Sequence, residues 1–278
     1  MDHCQEFYSS PKPCTTMEVE SEVTPAEQEP CFSPNLVSEL QAQGILRLRK
    51  GQVVESISCF HKSLKMLSRN ENEKLVESQL SSMMSIVENS ESNVEMNFFQ
   101  ERFLFTVDLS EEKSSLSRND DLFVQFRRAL YLPPDSAFTL REDELFHHIM
   151  SGVLMYNIGL ALHIEGIESC RSELLPNALH FYAMSHHTFT ELCRGYVHVA
   201  DSLNLALLAI VNNIAHINAH QRNINDALIF CNELSLRFSC MLSAIERGAP
   251  ELPCEDYEVF VSNVCFGTEM NRYPAPAA

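Results

Sequence analysis

The stretch GILRLRKGQVVESISCFHKSL, residues 44–64, decides how the chain is read. Gly44 and Gly51 stand seven apart, small Ser56 follows five residues after the second glycine, large Phe60 four later and small Ser63 three later still. Upstream, Leu36, Leu40, Ile45 and Leu48 lie close to one helical face. Downstream, Val53, Ile57, Phe60, Leu64 and Leu67 recur at spacings of four and three, the period of an amphipathic helix. Two helices broken at Gly51 can pack closely only where small side chains face large ones, and a glycine releases the chain at the turn.

The pattern returns twice. In YNIGLALHIEGI, residues 156–167, Gly159 and Gly166 are again seven apart, and Ala178, Tyr182 and Ser185 repeat the small–aromatic–small spacing, with IESCRSELLPN lengthening the turn. In NNIAHINAHQRNINDALIFCNEL, Ala215 stands for the first glycine and Arg222 for the turn glycine. Ala227 fits, and Cys231 and Leu234 replace the aromatic and the last small residue. One helical pair cannot cover its own apolar face, so such pairs stack.

The three copies resemble the tetratricopeptide-repeat family, in which helix A carries a small residue and a turn glycine, and helix B a small, an aromatic and a small residue. That family usually has Ala where Ser56 and Ser63 stand. The resemblance covers roughly 35–70, 145–192 and 205–242 and implies a mainly α fold, an α solenoid of antiparallel helical hairpins. It further implies that helix A of each repeat lines a groove for a partner peptide. An Asn two residues before the helix A glycine would grip the peptide backbone, because an amide both donates and accepts. Those positions are Asn157 and Asn213, with Ala42 in the first repeat. Tyr156, Leu160, His163, Asn212, His216 and His220 fall on the same face, with Gln41, Ile45 and Arg49 from the first repeat. Members that bind acidic chaperone tails carry Lys and Asn in the first repeat, where Gln41 and Ile45 stand here, and Lys and Arg in the third, where Ala209 and Asn213 stand, so that clamp is not expected.

Between the first two repeats the period changes. Phe103, Phe105, Val107 and Leu109 alternate with Leu104, Thr106 and Asp108, and Leu122, Val124 and Phe126 alternate with Phe123, Gln125 and Arg127 up to Pro133-Pro134. Both are strand patterns. Tyr257–Phe266 (YEVFVSNVCF) is β-branched and aromatic and is expected as a third strand, so a small β element would come from the insert and the C-terminal segment. A further helix is expected over 71–90, on Val76, Leu80, Met83 and Val87, and SEEKSSLSRND reads as a loop. The organisation is then a disordered acidic tail at 1–34, a first repeat at 35–70, an insert at 71–142, two repeats at 143–248, and a strand and tail at 249–278.

The net charge of −18 argues against nucleic acid or anionic membrane as the main partner. It is unevenly spread: residues 1–34 carry −6 and 71–121 carry −8, whereas 35–70 carry +4 through Arg47, Arg49, Lys50, Lys62, Lys65 and Arg69. The basic first repeat points to an acidic partner, the chain's own tail or insert included. No basic start with an apolar stretch suggests a signal peptide, and no window is expected to reach the roughly 18 apolar residues of a membrane span. Ten scattered cysteines without a CxxC pair fit a reducing, cytoplasmic setting, with the nucleus as an alternative.

Chemistry is sparse. Nine of the eleven histidines lie between His147 and His220, and His216 and His220 are one turn apart. A zinc-protease helix needs Glu after the first His, and Ile217 stands there. Cys193 lies near His186, His187 and His198 without a group to orient an imidazole. Glu142, Asp143 and Glu144 complement a helix N-terminus. No GxSxG, GxxxxGK or GxGxxG occurs. The reading is a non-enzymatic interaction module or adaptor for a protein or peptide, with no cofactor. The alternative is a metal-binding or metal-dependent protein using the histidine-rich 147–220 region.

Overall fold

Neighbouring helices meet where a side chain is missing on one and large on the other. The computed structural model describes residues 34–82 (side chains to Ser68), 103–109, 123–136, 143–196, 199–247 and 254–272, all within the unit Phe32–Ala278. Among them are seven α-helices: α1 (Pro34–Arg49), α2 (Val53–Ser82), α3 (Asp143–Glu168), α4 (Leu175–Gly195), α5 (Ala200–His220), α6 (Ile224–Glu246) and α7 (Cys254–Arg272). One two-stranded antiparallel sheet joins β1 (Phe105–Asp108) to β2 (Arg128–Tyr131). The fold is mainly helical, and each helix packs chiefly on its neighbours in sequence from α1 through α7.

A Cβ at Gly44 would lie 2.4 Å from Phe60 Cε1, so only glycine lets that ring rest on α1. Across α3 and α4, a Cβ at Gly159 would meet Tyr182 at 3.0 Å and one at Gly152 would meet Phe189 at 2.7 Å. The serines at the small positions do more than leave room. Ser56 donates to Gly44 O (2.8 Å), Ser63 to Val37 O (3.4 Å) and Ser185 to Gly152 O (2.7 Å), each across a helical seam. Val37 and Gly152 both stand seven residues before the glycine that faces the aromatic ring, so the two seams are built alike. Phe60, Tyr182 and Phe189 are completely buried in one continuous core with α5 residues such as Leu208 and Val211.

The turns are less regular than the sequence suggests. Gly51 has φ +70°, as a turn glycine should. Gly166, expected as the second turn, lies inside α3, where its missing Cβ makes room for Leu175 Cδ2 at 2.8 Å. The left-handed residue there is Cys170 (φ 53°), and Arg222 (φ 61°) takes the same role between α5 and α6.

The expected C-terminal strand is instead helix α7. Its β-branched residues suit a sheet, but Asp256, Phe260, Asn263 and Gly267, spaced four, three and four apart, are all buried, and this helical period wins over composition. Gly267 brings α7 against α6, where a Cβ would sit 2.7 Å from Cys231 Cβ. The first expected strand is β1. The second falls within the expected run up to Pro133-Pro134, with its pairing to β1 confined to 128–131. Residue 70 is no break, since α2 continues to Ser82. The expected acidic tail, the rest of the 71–90 helix and the SEEKSSLSRND loop lie outside the described residues.

Three helices, Glu144–Glu168, Ser202–His220 and Ile224–Glu246, are long and apolar enough by length and composition to cross a membrane, which corrects the expectation of no such window. In the first two, 83% of the apolar window is buried inside the protein, against 28% in the third. The apolar character of α3 and α5 therefore serves the core.

Candidate functional site

A strand exposes the N–H and C=O of alternate residues to the same side. A primary amide carries one acceptor oxygen and two N–H donors, so it can bracket both groups of one residue at once. The segment from Val124 to Leu132 meets a row of such amides, one each from α7, α3 and α1 and two from α5.

At Val124, the N–H donates to Asn263 Oδ1 (2.8 Å), and the carbonyl accepts from Asn263 Nδ2 (2.6 Å) and Asn212 Nδ2 (3.1 Å). At Phe126, the N–H donates to Asn213 Oδ1 (2.9 Å) and the carbonyl accepts from Asn213 Nδ2 (3.0 Å). The Arg128 carbonyl accepts from the Tyr156 hydroxyl (3.0 Å). At Leu130, the N–H donates to Asn157 Oδ1 (2.9 Å) and the carbonyl accepts from Asn157 Nδ2 (2.8 Å) and Gln41 Nε2 (3.2 Å). The Leu132 N–H donates to Gln41 Oε1 (3.3 Å). Only even-numbered residues take part, as a period of two requires. Arg127, Ala129 and Tyr131 face β1, with Leu109 N–H on Arg127 O (3.3 Å) and pairs Val107–Ala129 and Phe105–Tyr131. Eight steps of about 3.3 Å carry the segment roughly 26 Å across the helices.

Side chains anchor the same segment. Phe126 is fully buried and stacks on Phe260, with ring centroids 4.9 Å apart and planes at 16°. Leu130 and Leu132 are fully buried too. Between Phe126 and Leu130, Arg128 Nη1 lies 3.0 Å from Oδ1 of Asp256, whose side chain is 0% exposed, and 3.6 Å from exposed Glu255. Asp256 Oδ2 accepts from Thr106 Oγ1 (3.0 Å). Burial pushes the Asp256 carboxyl above its ordinary range, and the Arg128 charge pulls it back.

Beneath the row runs a second network. Asn213 Nδ2 also donates to the Tyr182 hydroxyl (3.1 Å), which lies 3.2 Å from His163 Nδ1, and His163 Nε2 lies 3.0 Å from His216 Nδ1. Burial holds His163 well below the usual histidine range, with His216, His220 and Arg127 adding to the effect. With the tyrosine as donor to Nδ1, neutral His163 presents Nε2–H to His216. Burial likewise raises the Tyr156 and Tyr182 phenols, so both remain hydroxyl donors at neutral pH. Elsewhere, His186 lies 3.2 Å from Glu233 and Arg237 lies 2.7 Å from it; with His186 the larger influence, they hold that carboxyl at about 2.

The residues singled out from the sequence therefore separate into groups. Asn157, Asn213, Asn212, Tyr156 and Gln41 converge on one extended segment. Leu160 is core, and Ile45 is buried at 5% exposure. His163 and His216 contact one another below the row, while His220 is exposed with its ring parallel to His216 at 6.5 Å. Arg49 is exposed at the end of α1 and does not reach the segment. Among the described residues, no three of His, Cys, Asp and Glu group together as metal ligands would. The strand seated on the helices carries Arg127 and Arg128; the acidic tail expected to dock on the basic first repeat and most of the acidic stretch of the insert lie outside the described residues.

Asn263 and Asp256 were missed, since a strand reading of 257–266 hides their place on one helical face. No protein-family model, curated protein or solved structure matches the chain. The reading of its function therefore rests on this geometry.

Proposed function

We propose that the chain is a non-enzymatic protein–protein interaction module, an adaptor built as a tetratricopeptide-like solenoid of helical hairpins. Its groove holds an extended peptide. The observation that carries this is the bracketing of single residues by side-chain amides: Asn157 on Leu130, Asn213 on Phe126 and Asn263 on Val124, each taking both N–H and C=O. Such contacts read a backbone rather than a sequence, which is how a groove accepts an extended segment. The like-built seams at Gly44–Phe60 and Gly159–Tyr182 support the repeat reading. In the form described, the groove is filled by residues 124–132 of the same chain, so partner binding and release of this segment are linked.

Affinity capture from a cell extract with excess synthetic peptide of residues 123–132 tests the reading. Partners of the groove are lost from the captured set when the peptide is added. If every captured protein persists, the partners use another face and the groove reading fails.

A further inference from the structure

We infer that the groove selects an extended partner segment bearing an arginine, with a large aromatic residue two positions before it and leucine-like residues two and four positions after, and that this segment enters by displacing residues 124–132. The inference rests on the groove reading above and adds its recognition rule. The amide row supplies affinity to any strand. Selection must come from side chains that the groove buries, and those fall at three kinds of site.

The first site is the slot of Phe126, closed on one side by the Phe260 ring at 4.9 Å, itself backed by Phe238 at 6.4 Å. The second is Asp256, a wholly buried carboxylate. A buried charge left without a partner is costly, so a displacing segment has to bring a cation to it. The third is the pair of fully buried places held by Leu130 and Leu132. Val124, by contrast, is 41% exposed, so its position carries little selection.

The resident segment fills the charged site imperfectly. Arg128 Nε has no hydrogen-bond acceptor, and Asp256 Oδ1 lies near Nη1 without hydrogen-bond geometry. An arginine free of the resident chain's constraints can reach the two-point geometry that guanidinium and carboxylate favour. The entering strand would take the place of β2 between β1 and the amide row, antiparallel to β1, with Thr106 still bonded to Asp256.

The test uses the full chain and a labelled peptide of residues 123–132, read by fluorescence anisotropy. Arg128→Gln and Phe126→Ala each loosen the resident segment without touching the groove wall. Circular dichroism confirms folding. If Phe126→Ala is unfolded, gain of helical signal on adding the peptide replaces the anisotropy reading, and no gain counts as no binding. Both variants are expected to bind the peptide at least ~10-fold more tightly than wild type, because the open groove is more populated. A peptide carrying Arg128→Glu is expected to bind at least ~10-fold more weakly than the native one. Equal binding of the two peptides overturns the arginine rule and leaves the groove reading standing. No binding of either peptide to the folded variants overturns both. Light scattering of wild type should report a monomer. A dimer would make a second copy's 123–132 the occupant and overturn the assignment to a separate partner.

Discussion

Replacing Asn157 and Gln41 by alanine, singly and together, measures how the amide row holds its strand. The two residues share the Leu130 carbonyl, Asn157 at 2.8 Å and Gln41 at 3.2 Å. Asn157→Ala removes the acceptor of the Leu130 N–H and leaves that carbonyl with Gln41. An orphaned buried N–H costs about 1–3 kcal/mol and a weakened carbonyl about 0.5–1.5, so the substitution should cost about 2–4 kcal/mol. Gln41→Ala orphans the Leu132 N–H and leaves the Leu130 carbonyl with Asn157, for about 1–3 kcal/mol. In the double variant the carbonyl loses both donors. The loss should therefore exceed the sum of the single losses by about 1–2 kcal/mol. Urea denaturation of the four proteins, compared at constant m-value, gives the cycle. Additivity within about 0.5 kcal/mol would refute a shared carbonyl. A cost below about 0.5 kcal/mol for Asn157→Ala would refute a buried clamp.

Other consequences are as direct. His163 stays neutral in the folded protein below its ordinary value of 6.5, whereas the unfolded chain takes up a proton there. Stability therefore falls as pH drops through 6.5, by up to about 1.4 kcal/mol per pH unit from this residue, and urea midpoints of His163→Gln should show a flatter dependence. Gly44→Ala should destabilise by about 1–2 kcal/mol in the same assay, since the clash with buried Phe60 outweighs the gain in helix propensity of about 1 kcal/mol. Arg222→Gly should raise stability by up to about 1 kcal/mol by relieving the left-handed backbone, with Gly51→Ala moving in the opposite direction.

The hairpins were legible because their signal is local. Phe60 and Tyr182 stand at fixed spacings from Gly44 and Gly159, and those spacings are the physical contacts. That Asn157 and Asn213 would face an extended peptide came only from the tetratricopeptide resemblance. What lies on them was not legible. The contact between Val124 and Asn263 joins residues 139 apart, and nothing near either one announces the other. Net charge gave no sign that an arginine-bearing strand would lie on the amides, because Arg127 and Arg128 sit in a chain that is acidic overall. Helix α7 was lost because Val259, Val261 and Val264 supply strand composition within a helical burial pattern. Cys170 and Arg222 show that a turn can take its left-handed residue without glycine, which is why Gly166 misled.

Residue-resolved amide exchange tests the central claim most directly, that side-chain amides hold the chain's own segment in the groove. The Val124 and Phe126 N–H groups lie outside the β1–β2 pairing, and their acceptors are Asn263 and Asn213. Both amides should exchange at least ~100-fold more slowly than in a free peptide, and Asn213→Ala should release Phe126 while leaving the interior amides of α5 protected. Free-peptide exchange at Phe126 in the wild-type protein, or protection unchanged by Asn213→Ala, would contradict the account.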